Sequence, residues 1–176
     1  QGWRWVHPVH EVLERLPGFP PGGKAAAPGV QLDHHPDPSK SRGQYLPLLE
    51  LSVEEAPGDD RNTHYLGREY LYYGRWDDCI RTLKRHLSLP SAVWADERCA
   101  SMRYIARAYV QKGERDEARR WLWRAIGEAP HLREPWMEQA WLRYEAEEWD
   151  GVVFLCRAAL AIAVRPQTYI CEGWAW

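Results

Sequence analysis

Met102–Pro130 reads MRYIARAYVQKGERDEARRWLWRAIGEAP, and the reading of this stretch decides the fold. Ile105, Ala106 and Tyr109 recur at helical spacing, and so do Ala118, Leu122 and Ala125 on the far side of Gly113. Gly113 interrupts the pattern once, where a tight turn needs conformational freedom. Pro130 ends it, because a ring without an N–H cannot continue a helix. The small residues are as informative as the large ones. Ala106 and Ala118 predict a point at which two helices cross closely, with Tyr109 and Leu122 filling the space beside it. The stretch therefore predicts two helices joined by a short turn and packed on each other.

These positions resemble the tetratricopeptide unit, a helix-turn-helix of about 34 residues that stacks on copies of itself. A copy precedes it: Leu66-Gly67, Tyr70, Gly74, Trp76, Cys79 and Leu83, with Pro90 as the stop. Gly74 and Gly113 lie 39 residues apart, which predicts a longer connection around Ser88–Asp96. A worn copy follows: Met137, Ala140-Trp141, Tyr144, Trp149, Val153 and Ala159. It has no turn glycine and reads one residue short, as a terminal repeat can. Repeats are expected at about 61–91, 100–130 and 135–164, within a domain spanning 57–176, and Pro166–Trp176 is expected to begin a capping helix. Trp76, Trp121, Trp141 and Trp149 fall where repeat packing needs bulk.

Composition sets bounds on function. A net charge of −2 argues against a general nucleic-acid binder, which would carry a basic excess. Eleven Trp and nine Tyr stand against two Phe, a bias toward amphipathic aromatics that pack helices, line interfaces or stack on sugars. Cys79, Cys99, Cys156 and Cys171 form no Cys-x-x-Cys pair and read as small core residues of a reducing, cytoplasmic compartment. No apolar run approaches the roughly 20 residues that span a bilayer, and the start has no signal-peptide pattern. The opening Gln1-Gly-Trp-Arg-Trp reads as the middle of a longer chain. Gly-rich phosphate loops and a Gly-x-Ser-x-Gly nucleophile motif are missing from the sequence.

Residues 1–56 have a different texture. Trp3 and Trp5 alternate with polar residues, as in a half-buried strand, and Val30–His34 alternates again as a second strand after the Pro/Gly loop Pro17–Gly29. A turn follows, and Ser39 is suited to cap a helix from about Lys40 to Glu55, with Tyr45, Leu46, Leu48, Leu49 and Leu51 on its apolar side. Asp59-Asp60 reads as a turn in the linker before the repeats.

This segment resembles the end of the GT-A catalytic domain in bacterial family 2-type glycosyltransferases that carry tetratricopeptide repeats. The residues that carry the resemblance are Trp5, Val9-His10-Glu11, the strand ending in His34, Ser39-Lys-Ser-Arg42 and Leu48-Leu49-Glu50. It continues through Arg61, Tyr65-Leu66-Gly67-Arg68-Glu69-Tyr70 and Arg133-Glu134-Pro135-Trp136. The resemblance implies that Glu11 stands at the position of the base that deprotonates the acceptor hydroxyl. It places His34, 23 residues later, at the position of a histidine ligand to the Mg or Mn ion that neutralises the departing diphosphate. His35 is the alternative ligand, and a zinc site of His7, His10, His34 and His35 is a further arrangement.

The donor-binding half and its Asp-x-Asp are missing from these 176 residues, so the chain alone is expected to be inactive unless that half is supplied in cis or in trans. The resemblance implies the C-terminal portion of a nucleotide-sugar glycosyltransferase, with the repeats presenting a peptide or glycan acceptor. The alternative is a non-catalytic scaffold or homodimerisation module that binds protein partners.

Overall fold

A computed structural model describes residues 2–9, 12–18, 29, 33, 35 and 43–176. The described residues are mainly helical, with a short antiparallel ribbon at the start. In chain order they form β1 (Trp3–Val6), β2 (Val12–Arg15), α1 (Tyr45–Glu55), α2 (Asp60–Tyr72), α3 (Trp76–Ser88), α4 (Ala95–Gln111), α5 (Arg115–Glu128), α6 (Glu134–Tyr144) and α7 (Trp149–Ala161). A 3-10 turn, Gly173–Ala175, lies near the end.

Helices α2 to α7 make three hairpins, and each of the six opens with an acid in its first turn: Asp60, Asp77, Asp96, Asp116, Glu134 and Asp150. A negative charge there faces the positive end of the helix dipole. Asp59 also caps α2, its carboxylate accepting from the Asn62 N–H at 2.9 Å, which gives the Asp59-Asp60 turn a structural role.

The hairpin turns are built alike. At the first, Gly74 N–H donates to the Leu71 carbonyl and Arg75 N–H to the Tyr70 carbonyl. At the second the same bonds run from Gly113 to Val110 and from Glu114 to Tyr109. Both glycines are left-handed, φ +71° and +78°, as this helix-ending motif requires. At the third turn Glu147 donates to Tyr144 and Glu148 to Arg143, and Glu147 takes the left-handed conformation, φ 58°. Arg143, not Tyr144, therefore occupies the place of Tyr70 and Tyr109. The third repeat is not one residue short: Ala140 keeps the small position of Gly67 and Ala106, and the tyrosine is what is lost.

The close crossing sits where the small residues predict. A Cβ on Gly67 would stand 2.3 Å from Cδ2 of the fully buried Leu83. Ala106 and Ala118 are buried at the equivalent crossing in the second hairpin. The 39-residue spacing of the glycines owes more to α4, with 17 residues against 13 in α2, than to a long loop.

Helix α1 begins later than Lys40. Pro47 explains this: it fits the first turn of a helix from Tyr45, whose N–H groups need no partner, but would break a helix already under way. Ser39 lies outside the described residues. Leu46, Leu49 and Val53 of α1 join the core of the repeats beside Tyr65 and Leu66, while Leu51 faces solvent. Helix α1 packs on α2 as α3 packs on α4 and α5 on α6.

In the ribbon, Trp3 pairs with Arg15 and Trp5 with Leu13, and an Arg4–Glu14 ion pair of 2.6 Å ties the strands. The expected half-burial is not found, since Trp3 and Trp5 are exposed. The partner strand is Val12–Arg15; of the strand expected at Val30–His34, only Asp33 is among the described residues. Pro166–Trp176 forms no capping helix. Helix α7 already ends at Ala161, where Ile162 turns to extended backbone, and the segment beyond folds onto the array.

Candidate interaction groove

The first helices of the hairpins, α2, α4 and α6, touch one another in sequence and form one face of the array. A groove of about 650 Å3 runs along this face. Leu71, Val110, Leu122, Met137, Trp141 and Leu142 give it apolar walls, and Trp76 and Trp174 also line it. Trp141 is 59% exposed, and Trp149 is also exposed, so neither fills the repeat core as their positions suggest. Trp141 stacks on Tyr144, whose ring meets Trp149 edge-on, both at 5.6 Å between centroids.

Charge lies beside the apolar walls. Arg103, 1% exposed, donates from Nε to Glu138 at 2.8 Å and from a terminal nitrogen to Glu172 at 2.8 Å. Arg107 reaches the same two carboxylates at 2.7 and 2.9 Å. Burial pushes the Glu172 carboxyl up, but Arg103 and Arg107 outweigh it and hold it below the usual range. Two cations thus share two anions, which is what makes a buried arginine tolerable.

The segment carrying Glu172 crosses the same face. Its Tyr169 hydroxyl bonds to Glu97, and its ring lies 5.9 Å from Tyr65 and 5.7 Å from Trp94. Glu134 accepts from the Glu172 N–H at 2.8 Å and from the Trp176 indole at 3.2 Å, while Arg133 stands 4.5 Å from the Trp176 ring.

A second polar cluster lies behind Tyr169. His64 Nδ1 is 2.7 Å from Ser101 Oγ, which is 2.9 Å from His86 Nδ1, and His86 Nε2 is 3.4 Å from Glu97. A serine has one proton to donate, so the chain has a direction. With His86 Nε2–H facing Glu97, Ser101 donates to His86 and His64 donates to Ser101. His64 Nε2 then bears a lone pair, fitting its buried setting with no partner. Burial lowers the His64 pKa to about 3 although Glu97 opposes the shift, so the ring is neutral at physiological pH. Asp60, His86 and Glu97 bring ligand atoms within 4.8 Å of one another, but Glu97 is already engaged by His86 and Tyr169.

Glu11 and His34 lie outside the described residues, as does His10. His7 meets Asn62 at 3.1 Å and Asp59 at 3.4 Å, and His35 is exposed. Cys79 and Cys99 are buried free thiols whose pKa burial pushes up to about 12, in keeping with a packing role. Among the described residues no helix is long and apolar enough to cross a membrane. Sequence reasoning missed Arg103, Arg107, Glu134, Glu138 and the anchors between Tyr169 and Trp176. The available signal was a pair of arginines four apart on a helix whose repeat pattern calls for none.

Fold and groove together define a tetratricopeptide-like helical repeat array. No family model matches the chain, and no curated protein sequence matches it. Among solved structures it is similar to MamA, a protein of the same tetratricopeptide-like fold. One MamA crystal structure superposes with a TM-score of 0.57 at 17% identity, covering 67% of this chain and 66% of that one. A second gives 0.55 at 17% identity over 66% and 61%, and a third 0.54 at 18% over 68% and 66%. The chain thus spans just under two thirds of these MamA chains, and at such identity the likeness is one of fold. These matches support the helical-repeat part of the resemblance and not the glycosyltransferase part.

Proposed function

We propose that this chain is a non-catalytic interaction module whose groove between α4 and α6 holds an extended polypeptide segment of a protein partner. The carrying observation is the groove itself, in which an exposed Trp141 and the apolar flanks of Val110 and Leu142 adjoin the charges of Arg107 and Glu138. Apolar walls with a few fixed charges suit a peptide that supplies side chains and leaves its backbone extended.

The test is an array of short extended peptides probed with the labelled chain and with Val110→Glu and Trp141→Ala variants. The wild-type chain should retain a reproducible set of peptides that both variants lose while keeping the same circular dichroism. An empty array, or a set that both variants retain, overturns the proposal. The glycosyltransferase reading, in which the groove would present an acceptor, rests on sequence resemblance and on Glu11 and His34. Both of those residues lie outside the described ones.

A further inference from the structure

The chain after α7 does not leave the array. From Ile162 to Gln167 it has no regular structure, and Val164 is exposed. Beyond that, every anchor meets the face formed by the first helices. The Tyr169 hydroxyl takes Glu97, Ile170 is buried in the core, Glu172 pairs with Arg103 and Arg107, and Trp176 meets Glu134 and Arg133. Even the Glu172 backbone N–H finds its partner on the array, at Glu134. The segment turns at Thr168–Ile170 and again in the 3-10 turn Gly173–Ala175, yet its side chains are satisfied by another surface, which is the bonding of a bound peptide. The surface also depends on it. Without Glu172, Arg103 and Arg107 would share Glu138 alone, leaving a guanidinium that is 1% exposed short of counter-charge.

We infer that Arg165–Trp176 is an internal ligand of the groove face and displays the chemistry of the external one. That partner segment carries a phenol, a carboxylate three residues on and an indole two residues beyond, turned as Tyr169, Glu172 and Trp174 are. The inference rests on the groove's being a peptide site. Internal and external segments compete for Arg103, Arg107 and the wall beside Trp174, so that side of the groove is self-occupied in the free chain and a partner binds there by displacing the chain's own segment.

The test titrates a fluorescent peptide with the sequence of Arg165–Trp176 into the full chain and follows anisotropy. Glu172→Gln in the chain removes one charge-assisted partner of the arginines, and the added peptide restores it. The variant should therefore bind the peptide about tenfold or more tighter than the wild type does. The same peptide with glutamine in place of its glutamate should lose that gain. Trp174→Ala, at an exposed residue, is the second variant and should also bind more tightly. Equal or weaker binding by both variants overturns the inference, and so does a glutamine peptide that binds as well. If array peptides bind wild type and both variants with equal affinity, the groove stands as a peptide site and the internal ligand falls. If neither array nor segment peptides bind, both fall.

Discussion

Gly67→Ala is the sharpest test of the hairpin packing. The new Cβ would lie 2.3 Å from Leu83 Cδ2 and 2.4 Å from Cγ. Carbon atoms pack at about 3.5–4.0 Å, so one of the two must move by more than 1 Å. Leu83 is fully buried on α3 and has nowhere to go. Overpacking of this kind costs about 1–3 kcal/mol, against which alanine's helix preference returns about 1 kcal/mol. The overlap is severe, so a net loss of about 2 kcal/mol is expected, or about 4–8 °C in Tm for a chain of this size. Urea unfolding followed by far-UV circular dichroism reads it. The decisive arm is the same change made in a Leu83→Ala chain, where the methyl group has room. There Gly67→Ala should be neutral or stabilising by up to about 1 kcal/mol, a coupling of about 2–3 kcal/mol between the two sites. A cost that is equal in both backgrounds, or no cost in the wild type, would refute the close crossing.

Gly113→Ala should cost about 1 kcal/mol from its left-handed backbone alone, since nothing lies within 4 Å of the added methyl group, and Glu147→Gly should gain about as much; thermal melts of the two variants check the opposite signs. His64 should make the fold acid-labile. Between pH 6.5 and about 3 the unfolded chain holds a proton that the buried native ring refuses, so stability falls as pH falls, by about 1.4 kcal/mol per pH unit. From pH 7 to 5 the wild type should lose about 2 kcal/mol more than His64→Asn does in urea melts, and equal losses would remove His64 from the explanation. Trp141→Ala should change stability by no more than about 0.5 kcal/mol, where a buried indole would cost about 3–5 kcal/mol.

Much of the array was legible because its signals are local. Gly74, Gly113, Ala106 and Ala118 each answer to a turn or a crossing within one hairpin, and such demands leave a residue type at a fixed spacing. The third repeat misled because Tyr144 imitates the expected tyrosine. Its register is set by the Glu148–Arg143 bond and a left-handed glutamate, neither of which residue type discloses. The groove's charges were not legible at all. Arg103 pairs with Glu138 and Glu172 across 35 and 69 residues, and an isolated glutamate near the end carries no mark of such a partner. The same holds for Trp141: bulk at a helical position reads as core until the neighbouring hairpin is seen to leave it uncovered.

The most direct measurement is methyl NMR of the full chain during titration with an array-selected peptide. A groove between the first helices predicts saturable shifts at Leu71, Val110, Leu122 and Leu142, with Leu87, Val153 and Leu160 unmoved. Shifts confined to Leu87, Val153 and Leu160 would contradict it and place the interaction on another face of the array.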